Sequence, residues 1–238
     1  MARPALVFAC AHLCDERLFT AQIDALAADF DCRAFAFREH DSLAAMAAAL
    51  LAATPERFTL IGLSLGGYVA FEVMRQASAR VERLALLDTT AAGDTEARRA
   101  GRLRDIAVVE AGGIEALIPE LPGRWLLPAH HQRDDLVALM ASMARSIGAK
   151  GQRNQQRAML ARPDSHADLA AVRVPTLVLC GAGDTVTPCA DHEAIAARIP
   201  GARRVVVADS GHLSTIEQPA AVTAALSAWL AETPTRSP

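Results

Sequence analysis

Ser64, Asp184 and His212 each lie just past an apolar run and within a glycine-containing turn. A serine hydroxyl is protonated near neutral pH and attacks a carbonyl only when a base removes its proton; an imidazole can do this and later return the proton to the leaving group. A carboxylate beside the imidazole fixes its tautomer and stabilises the imidazolium without being protonated itself. The three residue types are thus the parts of an acyl-transfer site that works through an acyl-enzyme. The sharpest local signal is Gly62-Leu63-Ser64-Leu65-Gly66, reached from an apolar run and followed by a helical pattern. A tight strand-to-helix turn presses positions 62 and 66 against neighbouring backbone, so both need glycine, and both have it. The hydroxyl is then left at a helix N-terminus, where free N–H groups and the helix dipole favour developing negative charge.

The elements that must hold these residues read as strands at 6–9, 32–37, 58–63, 81–87, 176–180 and 203–207, with helical stretches such as 42–53, 66–79 and 219–231 between and after them. Val222, Leu226 and Trp229 recur at helical spacing in the last of these, which is core packing. Alternating strands and helices predict an α/β fold, a mostly parallel sheet with helices on both faces, and place the polar residues at the strands' C-terminal ends, where open parallel sheets carry their sites. From Thr89 to about Ala171 the strand rhythm stops. Helical patterns at 98–110, 114–120, 134–147 and 152–161 replace it, broken by Gly112-Gly113, Pro122-Gly123 and Pro128. The expectation is a core domain of 1–90 and 171–238 with a helical cap, 91–170, inserted in it, and a frayed tail at 234–238. Leu13 and the cap residues Trp125, Leu126, Met140 and Met143 are candidates for an acyl pocket, with simple packing as the alternative for each.

The order nucleophile, acid, histidine on successive strand-end loops resembles the α/β-hydrolase superfamily over nearly the whole chain. Within it, Cys10-Ala-His-Leu-Cys-Asp-Glu-Arg-Leu-Phe19 and Arg153-Asn-Gln-Gln-Arg-Ala-Met-Leu-Ala-Arg-Pro-Asp-Ser165 are similar to segments of small bacterial esterases and enol-lactonases. The resemblance implies the α/β-hydrolase fold, a nucleophile elbow at Ser64, a catalytic triad with Asp184 and His212, and an oxyanion hole whose donors are the main-chain N–H groups of Leu65 and His12. Family members commonly carry His-Gly or Pro-Gly after the first core strand, where this chain has Cys10-Ala11. A position needing positive φ would be strained there by the alanine Cβ. Asp88, ending the run 84–88, is a second candidate for the acid, because some members of the fold place it after that strand.

A chain of 238 residues suits one domain with a sizeable core, and a net charge of -3 offers no basic surface for nucleic acid or an anionic membrane. The N-terminal apolar run is too short for a signal peptide, and no segment reads as a membrane span. Five cysteines without a Cys-x-x-Cys pair fit a reduced, cytoplasmic protein, and a lone lysine among many arginines suggests a GC-rich bacterial genome. No cofactor or metal is expected: Cys10, His12 and Cys14 lack a fourth nearby ligand and zinc-like spacing, and His130-His131 reads as a polar loop pair. Arg124, Arg133, Arg145 and Arg157 are placed either to bind a substrate carboxylate or to solvate helix faces. The function expected is a serine hydrolase acting on a small-molecule ester of a small to medium acyl group, or on a lactone, since the cap is short and poor in aromatics. Hydrolytic C–C cleavage, perhydrolysis and a hydrolase-fold ligand receptor stay open as alternatives, and a monomer or a homodimer fits equally.

Overall fold

The computed structural model describes residues 3–232, so the expected tail at 234–238 lies outside the described residues. Strands β1 (Ala5–Ala9), β2 (Asp31–Phe35), β3 (Phe58–Leu63), β4 (Val81–Leu87), β5 (Thr176–Gly181) and β6 (Arg203–Val207) form one sheet in the order β2-β1-β3-β4-β5-β6. Every neighbouring pair is parallel. The central strands are mostly apolar because both faces are covered, with Glu82 and Arg83 near the start of β4 as the charged exceptions. Leu6, Phe8, Ile61, Leu63, Leu177 and Leu179 pack into one core with Leu226 and Trp229, while the alternating Val7, Leu60, Leu84, Leu86 and Val178 pack into another with Val69 and Val73. The two edge strands keep exposed arginines, Arg33 on β2 and Arg203 and Arg204 on β6, which discourages edge-to-edge pairing.

The helices are α1 (Thr20–Leu26), α2 (Leu43–Ala52), α3 (Leu65–Ala77), α4 (Glu96–Gly112), α5 (Leu121–Trp125), α6 (Asp134–Leu160), α7 (His166–Leu169), α8 (Cys189–Ala196), α9 (Ser214–Glu217) and α10 (Pro219–Ala231). Helices α4 to α7 all fall between β4 and β5, in the stretch where the sequence loses its strand rhythm. Two details there differ from the sequence reading. The helix expected at 114–120 is a pair of 3-10 turns, Ile114–Ala116 and Ile118–Glu120, since Pro119 has no N–H to donate to a continuing helix. The patterns at 134–147 and 152–161 belong to one element, α6, bent at Gly148, whose φ of 69° and ψ of 176° a side chain would resist. The apolar face of the first half of α6, with Leu136, Met140, Met143 and Ile147, is continuous with Cys10, Leu13, Leu117 and Leu121 in the sheet's core.

The sheet order reverses at β1, whose two neighbours are β2 and β3. The loops leaving β1 and β3 therefore diverge to opposite faces and open a crevice at their C-terminal ends. His12 and Ser64 occupy those two loops.

Candidate active site

Ser64 caps α3 with φ 53° and ψ −109°, outside the regions a side chain prefers. Such a conformation costs roughly 1–3 kcal/mol and persists only where surrounding contacts enforce it. They do so here. The Ser64 N–H donates to Leu87 O at 3.0 Å, and the Thr89 hydroxyl donates to Ser64 O at 2.9 Å. A Cβ at Gly62 would stand 2.3 Å from Gly66 O, and one at Gly66 would stand 1.9 Å from Ala9 O, so the turn closes only with glycine at both.

The strand-end loops bring the three polar residues together as a continuous hydrogen-bonded chain. Ser64 Oγ lies 2.9 Å from His212 Nε2, and His212 Nδ1 lies 2.8 Å from Asp184 Oδ2. Asp184 Oδ1 accepts the Val186 and Thr187 N–H groups at 2.8 and 3.0 Å, and Oδ2 accepts the Thr187 hydroxyl at 2.7 Å. Burial works against its charge, but the His212 interaction and these hydrogen bonds outweigh it, and its carboxyl titrates below the usual range. Burial likewise pushes His212 down, yet the charge and hydrogen bond of Asp184 prevail, so the imidazole titrates above its ordinary 6.5. The His212 loop is held independently: its N–H donates to Trp125 O at 2.8 Å, and the buried Glu217 carboxylate accepts the Gly211 N–H at 2.9 Å. Glu217 also accepts Leu127 N–H and pairs with His130 Nδ1, both at 2.8 Å, tying the segment after α5 to this loop. His131 Nε2 lies 3.1 Å from Leu126 O in the same segment.

Asp88 is fully buried but engaged elsewhere. Its Oδ1 accepts the Gly181 N–H at 2.9 Å and its Oδ2 accepts the Ser214 hydroxyl at 2.5 Å. Burial first, then the charge of Asp184, push its pKa up to about 8. It therefore braces the β5 and His212 loops from behind while the imidazole hydrogen-bonds to Asp184.

Ala11 is absent from the non-glycine residues with positive φ; that conformation falls at Leu13, φ 56°. The Cys14 N–H donates to Ala11 O at 3.2 Å, so residues 11–14 form a turn with Leu13 at its third position. Holding a leucine there costs roughly 1–2 kcal/mol. Among the described residues no acceptor is found for the His12 N–H, and Leu65 begins α3, so its N–H has no intrahelical acceptor either. The His12 side chain is buried and neutral: burial, then the Arg102 charge, push its pKa down to about 4. Its ring nitrogens face Gln155 and Gln156, not the thiols of Cys10 and Cys14. Burial raises both of those thiols well above the ordinary range.

Beside Ser64 lies a cavity of about 70 Å³, lined by Ala11, His12, Tyr68, Arg102, Trp125, Met159, Val186, His212 and Leu213. Of the apolar pocket residues read from the sequence, Trp125 lines it. Leu13, Leu126, Met140 and Met143 are instead packed in the buried core, Met140 and Met143 through the apolar face of α6, which joins Leu117 and Leu121 there. Arg124, Arg133 and Arg145 are engaged by Asp105 and Glu120, by Asp135 and by Glu115, and Arg157 is exposed. The arginine at the cavity is Arg102, which sequence reasoning passed over. Tyr68 and Met159 were also missed, although Tyr68 lies one turn beyond Ser64 on α3 and the i,i+4 spacing could have pointed to it.

The profile of the Alpha/beta hydrolase family matches residues 6–226. The 3-oxoadipate enol-lactonase 1 of Acinetobacter baylyi is 31% identical over 166 residues, 69% of this chain and 60% of that protein, so the match spans less than two thirds of the relative's length. A thermophilic esterase from Thermogutta terrifontis, solved with malate bound, has a TM-score of 0.85 and 30% identity over 97% of this chain and 90% of its own. The enol-lactonase of Burkholderia xenovorans LB400 shares the fold, with a TM-score of 0.89 at 23% identity over 98% of this chain and 93% of its own.

Proposed function

The chain belongs to the alpha/beta hydrolase family, and on that premise we propose that it is a serine hydrolase cleaving carboxylic esters of small to medium acyl groups, or lactones. The observation that carries this reading is the unbroken chain from Ser64 Oγ through His212 to Asp184, with links of 2.9 and 2.8 Å. In this mechanism His212 Nε2 takes the Ser64 proton as Oγ attacks the substrate carbonyl, and Asp184 stabilises the resulting imidazolium. The tetrahedral oxyanion is received by the main-chain N–H groups of Leu65 and His12, each worth roughly 3 kcal/mol of barrier. His212 then protonates the leaving alcohol, water attacks the acyl-enzyme by the same route, and Ser64 is restored.

Residues 91–170 serve as the cap, closing the cavity from the helical side. A space of about 70 Å³ favours a short acyl group or a small ring over a long lipid chain. A carboxylate on the substrate is supported by charge. Arg102 at the cavity and the buried Arg162 share one partner, Asp94, at 2.6 and 2.9 Å, which leaves one positive charge uncompensated in that cluster. The malate bound to the Thermogutta terrifontis esterase agrees with such a substrate.

The test is steady-state hydrolysis of p-nitrophenyl esters from acetate to decanoate, with Ser64→Ala and His212→Ala in parallel. Turnover peaking at short chains and lost in both variants is expected. Wild-type rates from the Ser64→Ala protein overturn the nucleophile assignment, and no turnover from folded wild type overturns the general esterase reading.

A further inference from the structure

We propose that Gln155 is a positioning residue that sets the oxyanion loop from the second half of α6. The inference rests on the reading of Ser64 as nucleophile and of the His12 N–H as oxyanion donor. The two segments of the sequence that carry the resemblance to small bacterial hydrolases meet at one side-chain oxygen. Gln155 Oε1 lies 2.7 Å from His12 Nδ1 and accepts the Leu13 N–H at 2.9 Å, while Gln155 Nε2 donates to Phe37 O at 2.7 Å. Three of the four hydrogen-bonding positions of this fully buried amide are used on the loop after β1 and the chain after β2. The neighbouring Gln156 Nε2 lies 3.2 Å from His12 Nε2. Because Oε1 can only accept, His12 carries its proton on Nδ1 and receives Gln156 on Nε2.

The turn at residues 11–14 explains why this hold matters. Positive φ at the third turn position defines a peptide orientation that ordinarily calls for glycine, and this chain has Leu13, φ 56°, instead. The alternative, with Leu13 at negative φ, is free of that strain and rotates the His12–Leu13 peptide. Gln155 holds the strained form by accepting the very N–H that this rotation would carry away. Without it the loop relaxes, and the adjoining His12 N–H moves off the line along which a developing oxyanion would meet it. A displacement of about 1 Å at a reacting centre costs on the order of 10²-fold in rate.

The experiment compares Gln155→Met, which keeps the volume and removes the polar head, with Gln155→Glu, which keeps an acceptor for both N–H groups. Gln152→Met is the control: Gln152 is buried three residues earlier, and its amide has no partner among the described residues. Three quantities are read: kcat and KM on p-nitrophenyl acetate, the affinity for phenylboronic acid, whose tetrahedral Ser64 adduct places an oxygen in the oxyanion hole, and the melting temperature. Gln155→Met is expected to lower kcat and boronate affinity together, by about 10- to 100-fold, with KM within about threefold. Gln155→Glu should retain more of both, and Gln152→Met should match wild type. Wild-type kcat in Gln155→Met, a fall in kcat with unchanged boronate affinity, or equal losses in the Met and Glu variants overturns the proposal. If the Met variant does not fold, Gln155→Asn, which withdraws the amide by one methylene, carries the same expectation. Ser64→Ala run alongside separates the two levels: full hydrolysis there overturns the underlying reading, whereas an inactive Ser64→Ala beside a fully active Gln155→Met overturns only this inference.

Discussion

On the sheet side of the cavity, Ser64, Asp184 and His212 stand on loops that directly follow β3, β5 and β6, and much of what holds each is close in sequence or lies in the adjoining strand. On the helical side, Trp125 and Arg102 come from α5 and α4, and the partner of His12, Gln155, lies 143 residues further along the chain. A strand end positions a side chain through its own backbone, so chemistry there tolerates wide change in the surrounding surface. A helix packed across the strand ends positions a side chain only through the sum of its contacts. On the proposed reading, the sheet side therefore governs whether bond cleavage occurs, and the helical side governs what fits and how well the proposed oxyanion loop is set.

The largest effect expected is on the sheet side. Asp184→Asn should lower kcat by about 10⁴-fold with little change in fold, because the imidazole loses its tautomer control. In the same variant the acid limb of the pH profile should move downward, since the charge that raises His212 is gone while the burial that lowers it stays. An unchanged limb would break the assignment of Asp184 as the partner that sets it. Next in size, Gly66→Ala forces a Cβ to within 1.9 Å of Ala9 O and should destabilise the protein by about 3 kcal/mol or more, seen as a drop in melting temperature.

Two helical-side substitutions sharpen the contrast. Met143→Ala, in the core, should cost about 2–5 kcal/mol of stability while leaving the acyl-chain preference of the folded enzyme unchanged. Trp125→Ala, at the cavity, should move that preference from acetate toward longer esters by about tenfold with a smaller loss of stability. If both variants shift chain-length preference equally, the division between packing and lining residues is wrong. The smallest effect concerns the wild-type pH profile. His212 must be neutral to act as base, and its pKa is raised, so kcat/KM should rise with pH through a midpoint above 6.5, as a pH–rate series would measure.

What could be read along the chain followed from short-range constraints. Gly62 and Gly66 mark the turn at Ser64 because the close approach they permit is set within five residues and one neighbouring strand. The central strand runs were legible because strands buried on both faces read as near-continuous apolar runs. The arginine facing the cavity was not legible. Arg102 lies on a helix rich in arginine, and nothing in its own neighbourhood distinguishes it from Arg98, Arg99 or Arg104 until Asp94, Gln156 and Met159 gather round it. Met140 and Met143 were ambiguous for a related reason: an apolar helix face packs equally well on a core or on a ligand, and only the direction in which α6 is laid down chooses.

The sequence by itself determined the order of strands and helices, the sharp turn that presents Ser64, and the polar residues at the ends of β5 and β6, because these depend on backbone geometry and hydrophobic periodicity local to each element. Tertiary structure alone decided that Asp184 rather than Asp88 faces His212, that the strained turn residue is Leu13 rather than Ala11, and that Gln155 holds it. Each of those outcomes turns on a hydrogen bond between segments far apart in sequence. Such a bond is fixed by how the elements pack, which no single segment encodes.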